Sequence, residues 1–64
     1  MQNSTSQEPI RIQKVIALAG IASRRAAEKL ILSGAVMLNG VIVKEMGQKM
    51  ILGNDHLSVE GKRV

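Results

Sequence analysis

Ser23-Arg24-Arg25 is the stretch of this 64-residue chain whose residue types could do chemistry. Ser23 is a good N-cap, and Ala27, Leu30 and Ile31 follow at helical spacing, so both arginines fall in the first turn of a helix. A helix N-terminus carries partial positive charge and favours acids, so two cations there oppose the helix itself. A docked anion reverses the sign. Two guanidinium forks and free backbone N–H groups would then act on one phosphate. Arg11 and Lys14 lie three residues apart, and Lys29 lies four after Arg25; each pair shares a helix face and extends the same charge. A solvated basic face is the plainer reading of such residues. The misplaced pair at the helix start favours a phosphate ligand over it.

Other chemistry finds little to work with. The one histidine, His56, stands beside turn residues with no partner cluster and reads as a surface residue. The only aspartate, Asp55, lies in the same turn, where its type is expected on conformational grounds. No paired carboxylates, no Ser/His/Asp order and no phosphate-cradling glycine loop occur. There is no cysteine, so neither a disulfide framework nor a thiolate metal site is available. The expectation is a chain with no catalytic residue, no metal and no cofactor of its own.

The elements that position the basic residues follow from pattern. Residues 1–9 are polar and read as a disordered lead-in ahead of one small domain over 10–64. Pro9 suits a position just before a helix, and a first helix is expected from Ile10 to Ala19, with Ile12, Val15, Ile16 and Ala19 on one face. Gly20 ends it. The second helix runs from Arg24 to Leu32 and ends at Gly34. The period then drops to two: Val36-Met37-Leu38, Asn39-Gly40, Val41-Ile42-Val43 predicts a hairpin with a type I′ turn. In that register Val36, Leu38, Val41 and Val43 share one face, and Met37 and Ile42 the other. Gly47 and Gly53-Asn54 mark later turns. His56–Val59 reads as a third strand, Glu60-Gly61 as a turn, and Arg63-Val64 as the start of a fourth strand that the chain breaks off. The order predicts an α+β fold, two short helices packed on a small antiparallel sheet. With no Phe, Tyr or Trp, the core must be aliphatic. A formal charge of +4 on so small a domain favours a polyanionic partner. No apolar run could span a membrane and no signal-peptide stretch is visible, which points to a cytoplasmic domain.

The residues RIQKVIALAGIASRRAAEKLILSGAVMLNG resemble the S4 domain, or alpha-L RNA-binding motif. The likeness rests on Gly20-Ile21-Ala22-Ser23-Arg24-Arg25, on Val36-Met37-Leu38-Asn39-Gly40, on Gly47-Gln48-Lys49-Met50 and on Leu57-Ser58-Val59-Glu60-Gly61-Lys62. It covers about residues 10–64. One departure is Asn54, standing where the family has Asp after Gly53. Within the family the chain is most similar to the N-terminal domain of bacterial ribosomal RNA pseudouridine synthases. That resemblance implies an RNA-docking module for structured ribosomal RNA, with the catalytic aspartate in a separate domain expected after Val64. It implies RNA-facing roles for Arg11, Lys14, Ser23, Arg24, Arg25, Lys29, Asn39 and Lys44.

Three alternatives stay open from the sequence. A stand-alone ribosome-binding S4 protein of the heat-shock type shares the motif. A helix-turn-helix DNA reader fits two helices around a glycine turn, but AAEKLIL offers few groups to read base edges. An interaction module would use Met37, Ile42, Met46 and Met50.

Overall fold

A computed structural model describes residues 8–64. The expected lead-in therefore falls, for residues 1–7, outside the described residues. Eight elements follow in order: β1 (Ile10–Arg11), α1 (Ile12–Leu18), α2 (Arg24–Leu32), β2 (Val36–Leu38), β3 (Val41–Ile42), β4 (Lys49–Met50), β5 (Leu57–Val59) and β6 (Lys62–Arg63). The fold is α+β: two helices with two small antiparallel sheets, one ordered β3-β2-β5-β6 and one pairing β1 with β4. No helix of the described residues is long and apolar enough to cross a membrane.

The second helix begins and ends where its caps predict. At its far end Gly34 N–H reaches Ile31 O at 3.1 Å and Ala35 N–H reaches Leu30 O at 3.0 Å. These are the two bonds of a Schellman motif, with Gly34 at φ +82° supplying the left-handed residue. The first helix ends on the same pair of bonds, from Gly20 to Ala17 and from Ile21 to Ile16. A connection of so few residues folds α2 back against α1.

The start of the first helix differs from expectation. Ile10 and Arg11 are extended and pair with Met50 and Lys49. Arg11 is the N-cap at φ −60°, ψ 138°, without a side-chain cap bond. Ile12 N–H, which the helix leaves without an internal acceptor, bonds instead to Gln48 O at 3.1 Å. Pairing with a distant segment thus takes the two residues that local periodicity would have added to the helix. Arg11 consequently lies on β1 rather than on the helix face assumed for it. At the other end the helix stops at Leu18, so Ala19 is an exposed C-cap and not a buried stripe position.

The Asn39-Gly40 hairpin forms in the expected register, Leu38 opposite Val41 and Met37 opposite Ile42. Asn39 at φ 53° and Gly40 at φ 83° are the two left-handed residues of a type I′ turn. Val36 and Val43 reach the core, whereas Val41, nearer the turn, is exposed. The last strands are slightly offset from expectation: β5 begins at Leu57, and β6 is Lys62–Arg63, paired with Ser58 and Val59. Ile12, Val15 and Ile16 of α1, Ala27 and Ile31 of α2, and Val36, Val43, Met50, Leu57 and Val59 make one aliphatic core. The small β1–β4 sheet caps one side of it, burying Met50 and half-burying Ile10 while Arg11 and Lys49 face out.

Candidate nucleic-acid interface

The N-terminus of α2 is built by Ser23. Its backbone is extended, and its Oγ accepts the Ala26 N–H at 3.1 Å while its carbonyl accepts the Ala27 N–H at 2.8 Å. The hydroxyl that the family resemblance assigns to RNA is therefore used inside the chain as a cap. With those two N–H groups taken, the first-turn donors open to a ligand are those of Arg24 and Arg25. No acid stands in that turn.

A concave surface of about 850 Å³ lies between β1, the start of α1, the start of α2 and β4. It gathers Arg11, Lys14 and Arg24, three of the residues singled out from the sequence, and adds a fourth cation that sequence reasoning missed, Lys49. All four are exposed. Two carboxylates, Glu8 and Glu28, share the lining, and Glu28 follows Arg24 by four residues on the same helix face. Gln13 forms part of the wall and is only 7% exposed. Arg25, Lys29, Asn39 and Lys44 do not line this cleft. Arg25, Lys29 and Lys44 are exposed elsewhere on the surface. Asn39 borders a second, smaller concavity of about 450 Å³ with His56, Ser58 and Arg63. There the Arg63 guanidinium donates to His56 Nδ1, so the exposed imidazole serves as an acceptor.

Four exposed cations around a concave surface, at a helix start that lacks acids, can hold phosphate oxygens. Residues 10–51 match the family model described as the S4 domain. This chain belongs to the S4 domain family. Its relatives carry that domain within longer proteins. The chain is 54% identical over 54 residues to ribosomal large subunit pseudouridine synthase B of Bacillus subtilis (strain 168), covering 84% of this chain and 22% of that protein. It is 49% identical over 55 residues to an uncharacterized RNA pseudouridine synthase of Aquifex aeolicus (strain VF5), covering 86% of this chain and 22% of that protein. An uncharacterized RNA pseudouridine synthase of Mycobacterium tuberculosis (strain ATCC 25618 / H37Rv) is 49% identical over 61 residues, covering 92% of this chain and 24% of that protein. The chain thus spans about a quarter or less of the length of these relatives.

In this S4 domain Asn39 works as a clamp. Its Nδ2 donates to Asp55 Oδ1 at 3.1 Å, and its Oδ1 accepts the His56 N–H at 2.9 Å. Asp55 Oδ2 accepts the Ile51 N–H at 2.8 Å. The hairpin turn is thereby tied to the 51–56 turn. The Ile51 N–H and then the Asn39 amide stabilise the carboxylate and hold Asp55 below its ordinary value of 3.8. A group whose folded pKa is depressed stabilises the fold above its unfolded pKa. That contribution is lost as pH falls from about 4 through the lower folded value. Thermal melting between pH 7 and pH 2 should show an acid limb below pH 4 that is shallower in Asp55→Asn. Parallel curves for the two proteins would refute the clamp's part in acid stability.

Proposed function

We propose that this S4 domain docks a ribosomal RNA pseudouridine synthase onto structured ribosomal RNA in the cytoplasm, and that the isomerisation itself is done by a separate catalytic domain of the parent protein, C-terminal to these residues. The observation that carries the reading is the meeting of Arg11, Lys14, Arg24 and Lys49 on one concave surface of a chain whose relatives are named pseudouridine synthases. Arg25, Lys29 and Lys44 would extend contact to phosphates beyond the cleft. Asn39 would contribute through the hairpin it fixes. With no Phe, Tyr or Trp the chain offers few stacking platforms for unpaired bases, so binding rests mainly on the phosphate backbone and on shape.

The test is direct titration of the 64-residue chain with a structured ribosomal RNA fragment and with a DNA duplex of equal length, at several salt concentrations. RNA should bind more tightly, its affinity should fall steeply with salt, and no uridine should be converted. Tighter binding to the duplex would favour a helix-turn-helix reader. Concentration-dependent mass without RNA affinity would favour an interaction module.

A further inference from the structure

The second, smaller concavity offers a different chemistry from the basic cleft. Leu57 and Val59 are buried, so the alternate positions His56 and Ser58 face away from the core. Arg63 stands directly opposite Ser58 across the β5–β6 pair and reaches diagonally to His56 on the same face. There its guanidinium donates to the imidazole Nδ1. The guanidinium N–H bonds and the ring-nitrogen lone pair each lie in the plane of their own group, so the two groups meet by their edges and neither covers the other's face. The imidazole is also mounted on a fixed backbone. His56 N–H bonds to Asn39 Oδ1 at 2.9 Å, and Asn39 N–H bonds to His56 O at 2.7 Å, so the hairpin turn holds both backbone polar groups of His56. Among the described residues no carboxylate lines this concavity, whereas Glu8 and Glu28 line the cleft.

We propose that the His56–Arg63 pair seats one unpaired base of RNA, stacked on the imidazole and guanidinium faces, with the half-buried Ser58 hydroxyl serving its edge. This rests on the RNA reading above and adds to it a contact with a base, apart from the cleft that holds phosphates. Histidine rings and arginine planes both serve as platforms for splayed-out bases, and the arginine cation adds its attraction to the π system. Every base has a π face, and a hydroxyl both donates and accepts, so the site takes any base. The clamp of Asn39 on Asp55 and His56 then has a use beyond stability. It fixes the ring before RNA arrives, so less freedom is lost on binding.

The experiment compares a short oligoadenosine strand with an abasic ribose–phosphate strand of the same length and charge, and titrates a structured ribosomal RNA fragment alongside. At low salt the wild-type chain should bind the adenosine strand about fivefold more tightly than the abasic one, the lower end of what one stacked base contributes. The His56 imidazole proton resonances should move upfield with the adenosine strand only. His56→Ala should lose most of that preference with an unchanged salt slope, since no phosphate contact is removed. Its exposed position means that it should melt as wild type does. His56→Phe, which keeps a ring face, should retain the preference. Arg63→Lys, which keeps the charge and removes the plane, should lower the preference and leave the slope. Equal binding of the two strands, or a full preference surviving His56→Ala, would overturn the base site while binding of the structured fragment stood. Failure of every RNA to bind at low salt would instead overturn the RNA reading, and the inference with it.

Discussion

Ile31→Ala is expected to remove a large share of the folding free energy, whereas Leu32→Ala, one residue along the same helix, is expected to leave it nearly intact. Ile31 is 1% exposed in the centre of the core and Leu32 is 69% exposed. Deleting a buried Ile to Ala costs about 2–5 kcal/mol, from lost burial and the cavity left behind. The better helix propensity of Ala returns only a few tenths of a kcal/mol. A domain of this length has a total stability of roughly 3–10 kcal/mol, at about 0.05–0.15 kcal/mol per residue. Without aromatic residues or disulfides the core has no reserve to absorb the loss. At roughly 4–8 °C per kcal/mol the melting transition should fall steeply or lose its cooperativity. Leu32→Ala should change stability by less than about 0.5 kcal/mol. Equal effects at the two positions would mean that α2 buries a different face.

What the sequence revealed and what it hid divide along a physical line. Where a single residue type decides a local conformation, the reading and the structure agree. Ser23 and Gly34 bound α2, and Asn39-Gly40 dictates both the turn and the Leu38–Val41 register. Features made by contact between distant segments were not legible. A two-residue strand is too short to show period-two alternation, and Ile10–Arg11 is extended only because Lys49–Met50 lies beside it. Lys49 enters the cleft through that same pairing, so local sequence gives no sign that it joins Arg11. Asn39 was selected by family resemblance, and its side chain bonds to a turn 16 residues away, a contact that local sequence does not show. Beside the departure at Asn54, the neighbouring Asp55 carboxylate holds the turn by accepting the Ile51 N–H. Gln13 could have been flagged from sequence as a polar residue next to the buried Ile12. Its orphaned Oε1 required the packed structure.

The double replacement Arg24→Ala, Arg25→Ala should separate binding from folding. Both side chains are exposed in the first turn of α2, beside the positive end of the helix dipole. Their removal relieves an unfavourable interaction of about 0.3–1 kcal/mol per charge at most. Ala is also the better helix former, and the Ser23 cap remains. Melting temperature should therefore hold or rise slightly. Binding to a structured ribosomal RNA fragment should weaken sharply, with the slope of log affinity against log salt shrinking by about one to two units as one or two phosphate contacts vanish. The single variants rank the two arginines. Arg24 lines the cleft and Arg25 does not, so Arg24→Ala should account for the larger share. Lys62→Ala is the control, an exposed cation on β6 away from the cleft, and should cost little. A double variant that bound RNA normally but melted early would make the arginines structural. The unfavourable charge at the start of α2 would then have to be offset within the protein, and not by a phosphate.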